Sequence, residues 1–170
     1  GGDFDGDFIS SLEGTKLKGY IPEEKGKPID QSGVTIGSGF DLGQQNEEGL
    51  RKMGISEELI KKFKPYLGKK GLEAQQILTN IPLQISDSEN KTMMPLVKKT
   101  YYNRVRDMYN RAGKFKFENL TPAQRTIVTS VAFQYGDLET KTPNFYKQIT
   151  QGNWTDAIKN LMNFGDKYKT

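Results

Sequence analysis

Gly33-Val34-Thr35-Ile36-Gly37-Ser38-Gly39-Phe40-Asp41-Leu42-Gly43 is the stretch on which the fold turns. Val34, Thr35, Ile36 and Phe40 are strand formers, while Gly33, Gly37, Gly39 and Gly43 break the run into turns. Thr35 and Asp41 stand six residues apart, an even spacing that puts them on one strand face. Six residues of straight strand span roughly 20 Å, too far for two side chains to share one water. Cooperation between them therefore requires a sharp bend at Gly37-Ser38-Gly39. Two glycines flanking a serine permit it.

Upstream, Leu17 and Tyr20 continue the strand texture from Thr15, and Pro22 to Ser32 reads as a polar loop between the first strands. Further back, Phe4, Phe8, Ile9 and Leu12 share one face of a short helix, about residues 4–13, with Asp3 at its start and Gly14 at its end. Glu13 falls in the last turn, where the negative end of the helix dipole favours a protonated carboxyl. That is the state a general acid needs.

Downstream of Gln44 the texture is helical. Ser56-Glu57-Glu58-Leu59 opens one helix, and Gly71 to Leu78 forms another. A basic, aromatic stretch runs from about Met94 to Ala112, with Pro95 near its first turn. Thr121-Pro122-Ala123-Gln124 is a capping-box start, followed by the apolar stripe of Ile127, Val128, Val131, Ala132 and Tyr135 and closed by Gly136. Pro143 to Ile149 and Asn153 to Phe164 supply two more amphipathic helices. The expectation is an α+β chain forming a single domain over 1–170. Its small antiparallel β lobe covers about 15–43, and a larger helical lobe covers about 44–170 together with the N-terminal helix.

The 170 residues carry 34% hydrophobic and 27% charged side chains, with 9 Phe, 8 Tyr and 1 Trp, a composition of a folded, soluble domain. No apolar run approaches the roughly 18 residues of a membrane span, so no membrane insertion is expected. The chain contains no Cys and no His. That removes Ser-His-Asp and Cys-His chemistry and every thiolate or imidazole metal site, so no metal and no cofactor is expected. Acid–base work falls to carboxylates. The net charge of +4, 25 basic against 21 acidic residues, mildly favours an anionic partner.

Taken singly, Glu13, Thr35 and Asp41 have structural explanations: a helix-end surface residue, a strand residue, and a turn former or cap. Their joint pattern says more. Leu12-Glu13-Gly14 followed by Gly33 to Gly39 resembles the active-site segment of the phage-type lysozyme (muramidase) family. Phe40-Asp41-Leu42-Gly43 looks more specifically like the pesticin-like bacteriocin toxin domains within it. Leu120 to Arg125, Phe133-Gln134-Tyr135-Gly136, and Gly152-Asn153-Trp154 with Ala157 are similar to the family's central and late helices.

The resemblance implies hydrolysis of the β-1,4 bond between N-acetylmuramic acid and N-acetylglucosamine. By that analogy Glu13 is the acid, Thr35 helps hold the water, and a second carboxylate activates it or stabilises charge on the sugar. Phage-type enzymes invert, which implies carboxyl groups about 6.5–9.5 Å apart. Many phage enzymes carry the Asp before the Thr and a His after the Gly-x-Gly turn. This chain has Phe40 in the place of that His and Asp41 next. Asp41 is therefore the first choice, Asp30 the second, with Glu23 and Glu24 behind. Phe133 and Gln134 match cleft-lining positions and are expected to bind substrate, and Trp154 is expected to pack in the core.

The implied partners are peptidoglycan glycan strands, with a cognate immunity protein or a delivery module as further candidates, for a monomer acting in the bacterial periplasm or wall. Gly1-Gly2-Asp3-Phe4-Asp5 lacks a basic flank and an apolar core, so no signal peptide is expected and delivery by other means is. Two other readings fit the same residues: a lysozyme-fold module that binds the wall without cutting it, and a lytic transglycosylase, which needs no second carboxylate. A nucleic-acid reading would lean on Lys98, Lys99, Arg104, Arg106 and Arg111. Those residues also fit the wet face of one amphipathic helix, and no nucleic acid is expected.

Overall fold

The computed structural model describes residues 15–24, 27–28 and 31–163. The expected helix at 4–13, Glu13 and Asp30 lie outside them. The described residues up to Thr100 form one compact unit and those from Tyr101 a second. The division falls inside a helix, and the helices up to Thr100 group with the sheet.

The first unit holds strands β1 (Lys16–Tyr20), β2 (Glu23–Glu24), β3 (Lys27–Pro28), β4 (Thr35–Gly37) and β5 (Phe40–Asp41). They form a three-stranded antiparallel sheet in the order β1-β4-β5 and a separate β2-β3 ladder. That ladder lies within the stretch expected to be plain loop. Beyond β1 the sheet gains an edge from residues 83–85: Gly19 N–H donates to the Leu83 carbonyl (2.8 Å) and Ile85 N–H to that of Leu17 (2.9 Å). Val34, Ile36, Phe40 and Leu42 are buried with Leu50, Ile60, Phe63, Tyr66 and Val97. Burial of each such side chain contributes about 1.5–3 kcal/mol.

Helices α1 (Glu47–Met53), α2 (Glu57–Phe63) and α3 (Gly71–Asn80) complete this unit together with the first half of α4 (Asp87–Arg111). Asn46 and Ser56 cap α1 and α2, accepting from Gly49 and Leu59 N–H. Helix α4 starts seven residues earlier than the sequence suggests. Ser86 and Glu89 form a reciprocal cap (Glu89 N–H to Ser86 Oγ, 3.0 Å; Ser86 N–H to Glu89 Oε1, 2.8 Å), which anchors the start there. Pro95 consequently sits inside the helix. It lies on the exposed face, where water can take the carbonyl it leaves unbonded.

The second unit carries the rest of α4, then α5 (Pro122–Tyr135), α6 (Leu138–Lys141), α7 (Pro143–Thr150) and α8 (Trp154–Met162). The capping box on α5 is present as expected, with Thr121 and Gln124 bonding each other's backbone. Arg125 is buried, and its guanidinium donates to the carbonyls of Glu118 and Leu120. The core joins Val105, Tyr109, Phe117, Val128, Leu138, Phe145, Ile149 and Ala157, with Trp154 packed against it as expected. No helix of the described residues is long and apolar enough to cross a membrane.

Candidate functional site

Chain direction reverses within Gly37-Ser38-Gly39. Gly37 (φ 67°) and Gly39 (φ 91°) occupy the left-handed region that side chains disfavour, so the glycines make the bend. The reversal pairs Ile36 with Phe40 and Thr35 with Asp41. Leu42 N–H donates to the Val34 carbonyl (2.9 Å), which makes Val34 and Leu42 a hydrogen-bonded pair. Thr35 and Asp41 are then the closer, non-hydrogen-bonded kind, with Cα atoms about 4.5 Å apart and side chains on one face. The bend replaces the roughly 20 Å of a straight strand with direct adjacency.

Thr35 is buried, and its hydroxyl donates to the Gly33 carbonyl (3.1 Å). Its proton is committed, so its lone pairs are available to accept. Asp41 Oδ1 accepts from Gly43 N–H (2.8 Å) and Gly33 N–H (3.1 Å). The first of these caps the short 3₁₀ turn Leu42–Gln44. The structural explanation for Asp41 thus holds for one oxygen, and neither backbone bond uses the other. Burial pushes the Asp41 carboxyl above its ordinary value. The Gly43 and Gly33 N–H groups, the positive charge of Lys70 and the Gln44 side chain oppose that shift without cancelling it.

Residues 67–71 brace the hairpin from behind. Gly68 N–H donates to the Leu42 carbonyl (3.2 Å) and Gly71 N–H to that of Ser32 (2.8 Å). Gly33 and Gly43 meet face to face under the Lys69 carbonyl. A Cβ on Gly33 would lie 2.3 Å from that oxygen and 2.6 Å from Gly43 Cα. Both are backbone atoms that cannot swing aside. We expect Gly33→Ala to cost about 3 kcal/mol or more by overpacking, read as a shift of the denaturant midpoint with unchanged slope. A loss under 1 kcal/mol would show that the brace yields.

Lys70, which sequence reasoning did not single out, is the charge this brace brings to Asp41. No local signal could have found it, because the contact joins residues 29 positions apart. Of the other candidates, Glu23 is exposed on β2 and Glu24 follows it on that strand. In the second unit, Phe133 is buried (8% exposed) with its ring edge-on to Tyr101 at 5.0 Å, while the neighbouring Gln134 is exposed. Glu13 and Asp30 are outside the described residues.

The family model described as pesticin, a bacterial toxin homologue of phage lysozyme, C-terminal part, matches residues 3–155. No curated protein matches the chain. A match that runs through the glycine-bent hairpin and on to Trp154 covers nine-tenths of the sequence, and the chain belongs to the pesticin family of phage-lysozyme homologues.

Proposed function

We propose that this domain is a muramidase that hydrolyses the β-1,4 bond between N-acetylmuramic acid and N-acetylglucosamine with inversion. Family membership supports peptidoglycan hydrolysis in general. The observation that carries the finer reading is the Thr35–Asp41 pair, set side by side by the Gly37–Gly39 bend. Thr35 Oγ1 accepts one hydrogen of a water, and the Asp41 oxygen not used by the backbone accepts the other. With both hydrogens taken, an oxygen lone pair of the water points at the anomeric carbon. Glu13 gives its proton to the leaving sugar oxygen while Asp41 receives one from the attacking water. Each returns to its starting state by exchange with solvent. Gln134, exposed at the end of α5, and Phe133 beside it are proposed to contact the glycan. The substrate places the work in the bacterial wall or periplasm, as a toxin, effector or lysis domain.

Purified cell walls treated with the protein should clear, releasing fragments with reducing ends whose first-formed anomer is α. Anhydro ends would mean a lytic transglycosylase. Binding without clearing would mean a wall-binding module.

The raised Asp41 carboxyl fixes the sign of a pH dependence. Asp41 accepts a proton only when ionised, so activity rises with pH through a midpoint above the ordinary aspartate value. Stability runs the other way. A carboxyl whose folded value is raised contributes most below its unfolded value, and that contribution falls as pH rises through the folded one. The acidic limb of kcat/KM is the measurement, and a limb at or below the ordinary aspartate value would remove Asp41 from the role.

A further inference from the structure

Helix α7 borders an open cavity of about 520 Å³ in the second unit. Phe145 and Ile149 of this helix are fully buried. Pro143, Tyr146 and Lys147, spaced by three and four, share another side and line the cavity. Tyr146 is half-buried and packed against the core. Lys114, from the turn after α4, Glu139 on α6 and Gln151 add to the walls. Beside them Phe115 is 44% exposed, yet its ring is seated. Gly152 (φ 81°) leaves room for it, since a Cβ there would lie 3.0 Å from Phe115 Cε2. The Lys114 ammonium stands 5.6 Å from the centre of that ring, within cation–π range, which holds it at the rim. Among the described residues Lys114, Lys147 and Glu139 belong to no ion pair.

The cavity has the size of a small-ligand site, about 300–1,000 Å³. Its walls join aromatic and apolar surface to two unpaired ammonium groups and one carboxylate. A flat bilayer surface meets protrusions and does not fill a concavity. A polyphosphate chain would be repelled by Glu139 and finds only two cations. We propose that this cavity is a second binding site for the wall's glycan strand, taking an N-acetylated oligosaccharide segment that bears carboxylates. The inference rests on reading the wall as the substrate. The C–H face of a sugar ring packs on Tyr146 and Pro143, where the negative π-face of the tyrosine meets it. Carboxylates on the strand face Lys114 and Lys147, and Glu139 accepts from an acetamido N–H. None of these residues takes part in bond cleavage, so the site retains the domain on the wall rather than speeding the chemistry.

Sedimentation of the protein with purified cell walls in the cold gives an apparent Kd. Lys114→Gln/Lys147→Gln should raise it about 3–30-fold, the loss of two exposed charge contacts. Lys114→Arg/Lys147→Arg keeps both charges and should bind as the parent does. Lys61→Gln/Lys159→Gln removes the same charge from exposed positions outside the cavity and should also leave Kd unchanged. Clearing assays give a second reading: the glutamine pair should raise KM for whole walls and keep kcat. Unchanged binding by Lys114→Gln/Lys147→Gln, or equal weakening by Lys61→Gln/Lys159→Gln, overturns the site. Tighter binding to phosphatidylglycerol vesicles than to walls, lost in the same glutamine pair, overturns the glycan as its ligand in favour of a membrane surface. A parent whose wall binding depends on the two lysines but which never clears walls keeps this site and overturns the muramidase reading instead.

Discussion

Asp41→Asn is expected to lower the rate of wall hydrolysis by about 10²–10⁴-fold while leaving the domain folded. The side chain has two separable duties. Oδ1 holds the backbone N–H groups of Gly33 and Gly43 and caps the following turn. Asparagine keeps an oxygen for that duty and is as good a cap as aspartate. What it cannot do is accept a proton from water or offer a negative charge to a cationic sugar. Because burial disfavours the ionised carboxyl, losing the charge should leave stability at neutral pH unchanged or slightly higher. Asp41→Ala removes both duties and should also cost about 1 kcal/mol of capping. Asp30→Asn is the control and should retain activity. Equal losses from Asp30→Asn and Asp41→Asn would leave the base unassigned.

Glu13→Gln should abolish clearing to the limit of detection, a loss of about 10²–10⁴-fold from general-acid catalysis alone. Glutamine matches the shape and hydrogen-bonding span of the acid but has no proton to transfer to the leaving oxygen. Circular dichroism and melting should show a folded protein. If this variant cleared walls at more than a tenth of the parent rate, bond cleavage would not depend on that acid and the muramidase mechanism would fall. Walls that bind the inactive variant, measured by sedimentation, would show that recognition survives loss of chemistry.

Local chemistry was legible wherever the cause is local. Two glycines around Ser38 announced the bend, and the bend is what makes Thr35 and Asp41 neighbours. Thr121 and Gln124 announced the start of α5. The start of α4 was misplaced because Pro95 is a strong first-turn signal and the Ser86–Glu89 box stands eight residues before Met94. Here an exposed mid-helix proline is tolerated, and the earlier cap decides. The remaining features depend on distant segments. Nothing around Gly33 or Gly43 reveals that the Lys69 carbonyl will lie across them, or that Lys70 will arrive with it. Lys98 reads as one more basic residue in a basic helix, and only packing reveals that it is enclosed.

The close seating of Gly33, Gly43 and the Lys69 carbonyl divides the surface around the hairpin by how freely it can be rebuilt. Among the described residues no strand pairing ties the β2–β3 ladder to the three-stranded sheet, so lengthening or exchanging it should leave Asp41 undisturbed. Residues 67–71 have no such latitude, since an insertion there shifts the one oxygen that two glycines were kept bare to admit. Homologues retooled for different walls should therefore vary in length at the ladder and keep the brace residue for residue.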